Sequence, residues 1–303
     1  MKFVMYKNES GQFIGIVNPE GTHVLPLVDT YEKMGGKKAI PADLLQAISL
    51  GEVFHQEAEK TFQWVNDNKL DSELFIPLET VELLAPIPRP AKNIFCVGKN
   101  YAEHAIEMGS KDDIPEHIMV FTKAPTTVIA HDQNILAHSE LTEQLDYEGE
   151  LAVVIGKKGK AIKREDALDY VFGYTIVNDV TARDLQAKHK QFFIGKSLDT
   201  TCPMGPWIVH KTTIENPNNL DIKTTVNGEV RQDSNTGNFI FPVEEVISVL
   251  SQGMTLEPGD IIATGTPAGV GKGFKPPRFL SSGDTIEITV EGIGTLRNRV
   301  TKQ

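Results

Sequence analysis

The stretch from Leu145 to Gly156, LDYEGELAVVIG, constrains the fold of this chain more than any other segment. It is an almost wholly apolar run with Glu148 and Glu150 at its beginning, where a charge is costly unless another group pairs with it. Residues two apart in a strand project from the same face. The two carboxylates are therefore expected side by side, with Tyr147 and Gly149 facing the other way.

A second apolar strand pattern, YVFGYTIVND, ends in Asp179 and supplies a third acid at a strand terminus. Three convergent carboxylates without histidine or cysteine suit a hard divalent cation, Mg²⁺ or Mn²⁺, better than zinc. The alternative for Glu148 and Glu150 is a solvent-exposed strand end with two ordinary surface acids. The sequence thus predicts a candidate metal site formed by Glu148, Glu150 and Asp179.

The composition excludes several classes of protein. The chain has 41 acidic against 30 basic residues, a formal net charge of -11, and no basic stripe that would neutralise a phosphate backbone. We therefore expect no nucleic-acid partner. The amino terminus turns polar within a few residues, and the sequence contains no apolar run of about 18 residues. These features predict a cytoplasmic protein without membrane insertion. Cys96 and Cys202 lie far apart and indicate neither a disulfide framework nor a zinc site.

The pattern of strands and helices predicts two domains in a β-rich α+β fold. The first 27 residues alternate like a strand meander, and two helical patterns follow, PADLLQAISLGE and HQEAEKTFQWVNDNK. Prolines crowd the segment APIPRP and mark a boundary. We therefore expect a small N-terminal α/β domain at residues 1–88 and a β-rich mixed domain at residues 89–303. In the second domain, Asn227-Gly228 is typical of a tight hairpin turn.

His104 and Glu107 are three residues apart in YAEHAIEMG, so on a helical turn they share a face. That spacing suits a base and the group that orients it, with Glu107 holding the imidazole while His104 takes or returns a proton. The alternative is an ordinary polar pair on an exposed helix face. In FIGKSLDTTCP, Lys196 lies between turn-forming residues, and its alternative role is that of a solvated surface lysine.

Six motifs together resemble the fumarylacetoacetate hydrolase family and cover nearly all of residues 90–300. In order they are KNIFCVGKNYAEHAIEMG, YEGELAVVIG, VNDVTARDLQ, GKSLDTTCPMGPWIV, VNGEVRQ and GDIIATGTPAGVG. The resemblance implies a mixed β-roll catalytic domain that binds Mg²⁺ or Mn²⁺ through Glu148, Glu150 and Asp179. It also implies a homodimer. Residues 1 to about 85 look like the smaller, variable N-terminal domain that some members carry.

The resemblance also implies roles for further residues. It matches His104 and Glu107 to a catalytic pair, and it places Lys196 beside a bound 2-oxo acid, where the lysine would stabilise developing negative charge. Substrate contacts are implied for four residues, Lys123, Gln186, Gly265 and Thr266, of which the last two would offer backbone amides to a carboxylate.

Arg183 and Lys99 are further candidates for substrate binding. Arg183 could equally buttress Asp184 or the metal-binding acids. Lys99 stands where some relatives have arginine, and a lysine loses the bidentate geometry of a guanidinium. The glycine-rich GTPAGVG lacks the spacing and the lysine-serine end of a phosphate loop, so nucleotide binding is not indicated.

The predicted activity follows from a metal that would chelate a 2-oxo acid and polarise its keto group. With a carboxylate on C3, as in oxaloacetate, the reaction is decarboxylation to pyruvate and CO₂. With an acyl group there, it is hydrolysis of an acylpyruvate such as acetylpyruvate or fumarylpyruvate. We expect an oxaloacetate decarboxylase, with the hydrolase as the alternative. A hypothesis of another class is a binding or scaffold protein that uses its N-terminal domain as the interaction surface.

Overall fold

The computed structural model describes residues 1–37 and 40–302. Its helices are α1 (Leu27–Lys33), α2 (Leu44–Ile48), α3 (Glu52–Asp67), α4 (Asp71–Leu74), α5 (Ala102–Glu107), α6 (Arg183–His189), α7 (Phe193–Lys196) and α8 (Val243–Ser251). The strands before the site are β1 (Lys2–Asn8), β2 (Gly11–Val17), β3 (His23–Pro26), β4 (Ile76–Pro77), β5 (Glu82–Leu84), β6 (Ile94–Gly98), β7 (Met119–Lys123), β8 (Val128–Ile129) and β9 (Asn134–Leu136). The remaining strands are β10 (Leu145–Asp146), β11 (Gly149–Ile155), β12 (Val171–Asn178), β13 (Thr181–Ala182), β14 (Cys202–His210), β15 (Asp221–Val226), β16 (Glu229–Asn235), β17 (Ile261–Ala263), β18 (Thr285–Val290) and β19 (Gly294–Thr301).

Two sheets organise the molecule. The larger one runs β4-β3-β2-β1-β14-β12-β11-β17-β6-β7, with β5 beside β1 and β8 beside β14. The second has five strands in the order β16-β15-β18-β19-β9, and β10 pairs with β13. β11, β12 and β14 are buried along their whole length, so their residues form the centre of the core. The predicted β-rich α+β architecture is confirmed.

The N-terminal strands extend the large sheet instead of forming a sheet of their own. β1 pairs antiparallel with β14, matching Lys2 with Val209 and Phe3 with Ile208. Across this junction the ring of Phe3 lies 5.0 Å from that of Phe54 and 5.6 Å from that of Phe172, measured between ring centroids. Residues 1–88 and 89–303 therefore share one sheet and one apolar cluster.

The predicted hairpin turn and helices agree with the structure where neighbouring residues determine the conformation. Asn227 and Gly228 have φ angles of 53° and 79° and connect β15 to β16, as expected for a tight hairpin. The pattern PVEEVISVLSQG contains α8. The first helical pattern forms only the short α2, because Gly51 takes a φ of 59° and separates it from α3.

Of the helices that the structure describes, in residues 1–37 and 40–302, none is long and apolar enough to cross a lipid bilayer.

Candidate active site

The three acids meet where β11 and β12 lie side by side. Gly149 pairs with Asn178 and Glu150 with Val177, so Glu148 just before β11 and Asp179 just after β12 are neighbours. The Asp179 amide donates to the Glu148 carbonyl at 2.9 Å. One carboxylate oxygen from each of Glu148, Glu150 and Asp179 lies within 4.8 Å of the other two, and all three residues are buried. The three acids that the sequence singled out therefore lie together, and their role as metal ligands stays a prediction.

Gly149 lets the second sheet approach the cluster closely. A Cβ at this position would lie 2.3 Å from Thr224 Oγ1 and 3.0 Å from a methyl group of Ile288. Gln232 connects the second sheet to the site by two hydrogen bonds. Its side-chain oxygen accepts from the Gly149 amide at 3.0 Å, and its Nε2 donates to Thr266 Oγ1 at 2.7 Å. This glutamine ends the VNGEVRQ motif, and motif matching alone assigned it no role.

Cationic side chains neutralise two of the three acids. Lys196 Nζ lies 2.7 Å from both Glu148 and Asp179. Lys123 Nζ lies 2.8 Å from Asp179, and Arg183 Nη2 lies 2.6 Å from Glu148. Lys196, Lys123 and Arg183 are themselves almost fully buried, so these pairs are shielded from water.

Glu150 differs from the other two acids. Its carboxylate accepts a hydrogen bond from the Gly265 amide at 2.8 Å, yet no lysine, arginine or histidine in the described part of the chain forms an ion pair with it. Burial and the charges of Asp179 and Glu148 raise the pKa of Glu150 well above its ordinary value of 4.5. Glu150 is therefore the acid that most needs a further positive charge.

The pKa of Glu148 moves in the opposite direction. Burial acts to raise it, but the positive charges of Lys196 and Arg183 outweigh burial and hold the pKa of Glu148 well below its ordinary value. The same contacts shift the pKa of Lys196. Burial acts to lower it, but the negative charges of Asp179 and Glu148 raise it to about 12. Glu148 and Lys196 are therefore an anion and a cation at neutral pH.

The donor set fits a hard divalent cation. Three carboxylate oxygens within 4.8 Å can share one ion, and carboxylates are the ligands that Mg²⁺ and Mn²⁺ prefer. The unpaired charge of Glu150 gives the cluster a physical reason to take up such an ion. Across residues 1–37 and 40–302, no other cluster of three or more His, Cys, Asp or Glu has this geometry.

His104 faces the cluster from α5, and Glu107 lies beside it on the same helix. His104 Nδ1 lies 3.2 Å from Glu107 Oε2, and Glu107 Oε1 accepts from the Gly269 amide at 2.9 Å. His104 is 6% exposed and lines a cavity of about 400 Å³ together with Glu148 and Glu150. Because Glu107 holds the Nδ1 side of the ring, Nε2 is the nitrogen left to exchange a proton with a bound molecule.

The predicted substrate contacts separate into two groups. Lys99, Arg183, Gln186 and Thr266 line the cavity with Lys196. Lys123 and Gly265 instead contact the acids of the cluster, since the lysine pairs with Asp179 and the glycine amide donates to Glu150.

Arg183 and Lys99 also have partners within the protein. Arg183 pairs with Asp146 and Glu148, which is the buttressing role that the sequence left open. Lys99 Nζ lies 3.0 Å from Asp113. Lys99 is therefore already paired at the mouth of the cavity.

Two residues near the site besides Gln232 were missed from the sequence. Asp146 is completely buried and accepts from Arg183 Nε at 2.8 Å and from the Gly271 amide at 2.7 Å. Its position two residues before Glu148 continues the alternation of acids and was the available signal. Lys272 lines the cavity from the loop after GTPAGVG, and no local pattern distinguishes it from other surface lysines.

Comparison with known proteins gives the family. The profile for the fumarylacetoacetate (FAA) hydrolase C-terminal domain matches residues 93–301, more than half of the chain. The chain belongs to the fumarylacetoacetate hydrolase family. The matched region contains every residue of the cavity and the acid cluster described above.

Full-length relatives extend the similarity to the N-terminal part. The chain is 54% identical over 302 residues to oxaloacetate tautomerase YisK of Bacillus subtilis, covering 99% of this chain and 100% of the relative. It is 41% identical to the solved structure of fumarylacetoacetate hydrolase from Exiguobacterium antarcticum, with a TM-score of 0.84 and complete coverage of both chains. Maleylpyruvate hydrolase from Sphingobium sp. SYK-6 is 28% identical with a TM-score of 0.76, again with complete coverage of both chains.

Proposed function

We propose that the chain is a Mg²⁺- or Mn²⁺-dependent enzyme that acts on oxaloacetate and interconverts its keto and enol forms. The observation that supports the proposal is the position of His104, whose imidazole lines the same cavity as Glu148 and Glu150. The 54% identity to oxaloacetate tautomerase YisK supports the choice of substrate. Bound by Glu148, Glu150 and Asp179, the ion would chelate the 2-oxo acid and polarise its keto group.

The residues of the chain supply the proton transfer. His104 Nε2 removes a proton from C3 of the keto form and delivers it to the 2-oxygen, and the reverse reaction uses the same group. Glu107 holds Nδ1–H and stabilises the imidazolium that forms. Lys196 lines the cavity with its ammonium group against Glu148, where its charge stabilises negative charge that develops on the 2-oxygen.

Decarboxylation of oxaloacetate is the second candidate. Loss of CO₂ from C3 places negative charge on the same 2-oxygen, so the buried cation Lys196 favours this reaction equally. The two reactions differ in their need for a base. Tautomerisation of the keto form begins with removal of a proton, whereas decarboxylation needs only a proton donor after CO₂ has left. Hydrolysis of an acylpyruvate remains the third possibility, supported by the similarity to maleylpyruvate hydrolase.

Three assays on Mn²⁺-loaded protein separate these reactions. They follow the ultraviolet absorbance of the oxaloacetate enol, pyruvate release from oxaloacetate, and pyruvate release from acetylpyruvate, each compared with Mn²⁺ alone. We expect the first to be accelerated most. His104→Ala should lower that rate by roughly two to four orders of magnitude and leave Mn²⁺ affinity unchanged. His117→Ala, which removes an exposed histidine, is the matched control. Acceleration of neither oxaloacetate reaction would refute the proposal, and the scaffold hypothesis would then gain support.

We also propose a homodimer, as the family resemblance implies. β7 lies at one end of the large sheet and leaves Met119 and Val120 about 40% exposed. An exposed apolar edge strand is a surface that a second copy would cover. Sedimentation equilibrium should give twice the 33.4 kDa of one chain, and Val120→Lys should shift the protein towards the mass of a single chain. A wild-type mass of 33.4 kDa at micromolar concentration would contradict the dimer.

A further inference from the structure

The cavity wall holds cations that the proposed reaction does not use. Five basic residues line it, namely Lys99, Arg183, Lys190, Lys196 and Lys272. Arg183 and Lys196 pair with the acid cluster, and Lys99 pairs with Asp113. The ammonium groups of Lys190 and Lys272 have no hydrogen-bond or ion-pair partner within residues 1–37 and 40–302. The cavity therefore offers positive charge to a molecule bound inside it.

Lys272 differs from Lys190 because a buried acid fixes its backbone. Asp146 accepts from the Gly271 amide at 2.7 Å and from the Lys272 amide at 3.0 Å. The same carboxylate accepts from Arg183 Nε at 2.8 Å, so one side chain links the Lys272 loop to the arginine that contacts Glu148. The backbone of Lys272 is thereby held in a defined position relative to the acid cluster, and its side chain is free to reach a bound molecule.

The close approach of this loop depends on a glycine. A Cβ on Gly271 would lie 2.6 Å from Asp146 Oδ1 and 2.3 Å from the carbonyl oxygen of Arg278. A larger residue would push the loop away from Asp146 and move Lys272 with it.

We infer that Lys272 binds the second carboxylate of a dicarboxylic 2-oxo acid and so sets the substrate class of the site. This inference rests on the proposed function, in which the 2-oxo acid end of the substrate lies at the acid cluster. A substrate with a carboxylate on C3 then extends its second charge away from Glu148 and Glu150 towards the cationic wall. A monocarboxylic 2-oxo acid leaves Lys272 without a partner and gains nothing from it.

The experiment compares acids that differ only in the second carboxylate. Malate is lactate with a carboxylate on its methyl carbon, so the ratio of their dissociation constants from Mn²⁺-loaded protein isolates the contribution of that group. Calorimetric titration measures both. Lys272→Ala should reduce the preference for malate over lactate about ten- to a hundredfold, the range for a hydrogen bond to a charged group. It should also raise KM for oxaloacetate by a similar factor while kcat changes less than about threefold.

Two further variants serve as controls. Lys272→Arg keeps the positive charge and should retain most of the preference for malate. Lys275→Ala removes a charge from the same exposed loop outside the cavity and should change neither the preference nor KM. An unchanged malate-to-lactate ratio in Lys272→Ala overturns the inference, as does a wild-type protein that binds both acids equally or binds neither. The calorimetric titration needs no turnover. A protein that is inactive on oxaloacetate would therefore refute the proposed function, while the ratio of the malate and lactate dissociation constants would still test the role of Lys272.

Discussion

At the scale of single residues, the three acids of the site differ in whether a cationic side chain contacts them. Glu148 and Asp179 each touch buried cations, whereas Glu150 has only a backbone amide. Charge repulsion within the cluster therefore acts mainly on Glu150, as the raised pKa of this residue indicates. In the metal-free protein this repulsion costs stability, and a cation bound at the proposed site would offset it.

Glu150→Gln tests this imbalance through the pH dependence of stability. A carboxyl whose folded pKa lies above 4.5 binds a proton more tightly in the folded protein, so its contribution to stability falls as pH rises above that value. The metal-free variant should therefore melt at a higher temperature than wild type at pH 8, and the difference should narrow towards pH 5. Differential scanning calorimetry measures the melting temperature of both proteins across this pH range.

The same substitution should weaken metal binding. Added Mn²⁺ stabilises the folded state in proportion to its affinity, so the increase in melting temperature should be much smaller in Glu150→Gln than in wild type. Glu140→Gln, at an exposed position, should behave like wild type in both measurements. Equal Mn²⁺-induced shifts in the three proteins would exclude Glu150 as a ligand.

At the scale of elements, the proposed catalytic pair of His104 and Glu107 depends on a loop distant in sequence. Glu107 on α5 is held by the Gly269 amide, and Gly273 packs directly against its carboxylate. The spacing of His104 and Glu107 predicted that they would meet, since helix geometry decides that contact. The loop that supports them lies more than 150 residues later, and no local pattern indicates such a contact.

Gly273→Ala should separate the pair without unfolding the protein. The new Cβ would lie 2.2 Å from Cδ and Oε1 of Glu107, which must move. The displaced group is the end of a flexible side chain, so the cost in stability should be small, about 1 kcal/mol. If the proposed function is right, loss of the group that orients His104 should lower the tautomerisation rate about ten- to a hundredfold and leave Mn²⁺ affinity unchanged.

Gly253→Ala is the matched control for this variant, because its Cβ would meet nothing within 4 Å. Activity assays and Mn²⁺ titration on both variants test the expectation. Full activity in Gly273→Ala would show that Glu107 tolerates displacement and is not needed to orient His104.

At the scale of the whole molecule, the proximity of the three acids could be predicted from the sequence, whereas the connection between the two parts of the chain could not. One apolar run begins at Glu150 and another ends at Asp179, and both could be recognised because strand periodicity is a local property. The pairing of Lys2 with Val209 joins segments about 200 residues apart and leaves no local trace. For the same reason, the ion pair between Lys123 and Asp179 could not be predicted from either segment alone. The proposed division at residues 88 and 89 therefore crosses a continuous sheet.

A pair of stacked histidines lies at this junction. His55 on α3 and His210 at the end of β14 have ring centroids 3.5 Å apart, with 12° between the ring planes. Burial lowers the pKa of His210 from 6.5 to about 3, with further effects from His55, the amino terminus and Lys211. Glu52 and Glu59 flank His55 from its own helix, at 3.8 and 3.5 Å from the ring nitrogens. Protonation of His210 would therefore place a positive charge in a buried contact between the two parts.

The sign of the pH effect follows from the lowered pKa. An unfolded chain takes up a proton at His210 near pH 6.5, whereas the folded protein resists it until about pH 3, so the free energy of unfolding should decrease as pH falls between these values. His210→Phe keeps a stacked ring but cannot be protonated. It should be less stable than wild type at pH 8 by about 1 kcal/mol, because the contact with Thr212 is lost, yet lose less stability on acidification. Urea titrations from pH 8 to pH 4 measure how the free energy of unfolding of wild type and of His210→Phe changes with pH. His117→Phe, at an exposed position, is the control. If the free energy of unfolding falls equally with pH in wild type and in His210→Phe, protonation of His210 does not destabilise the junction of the two parts.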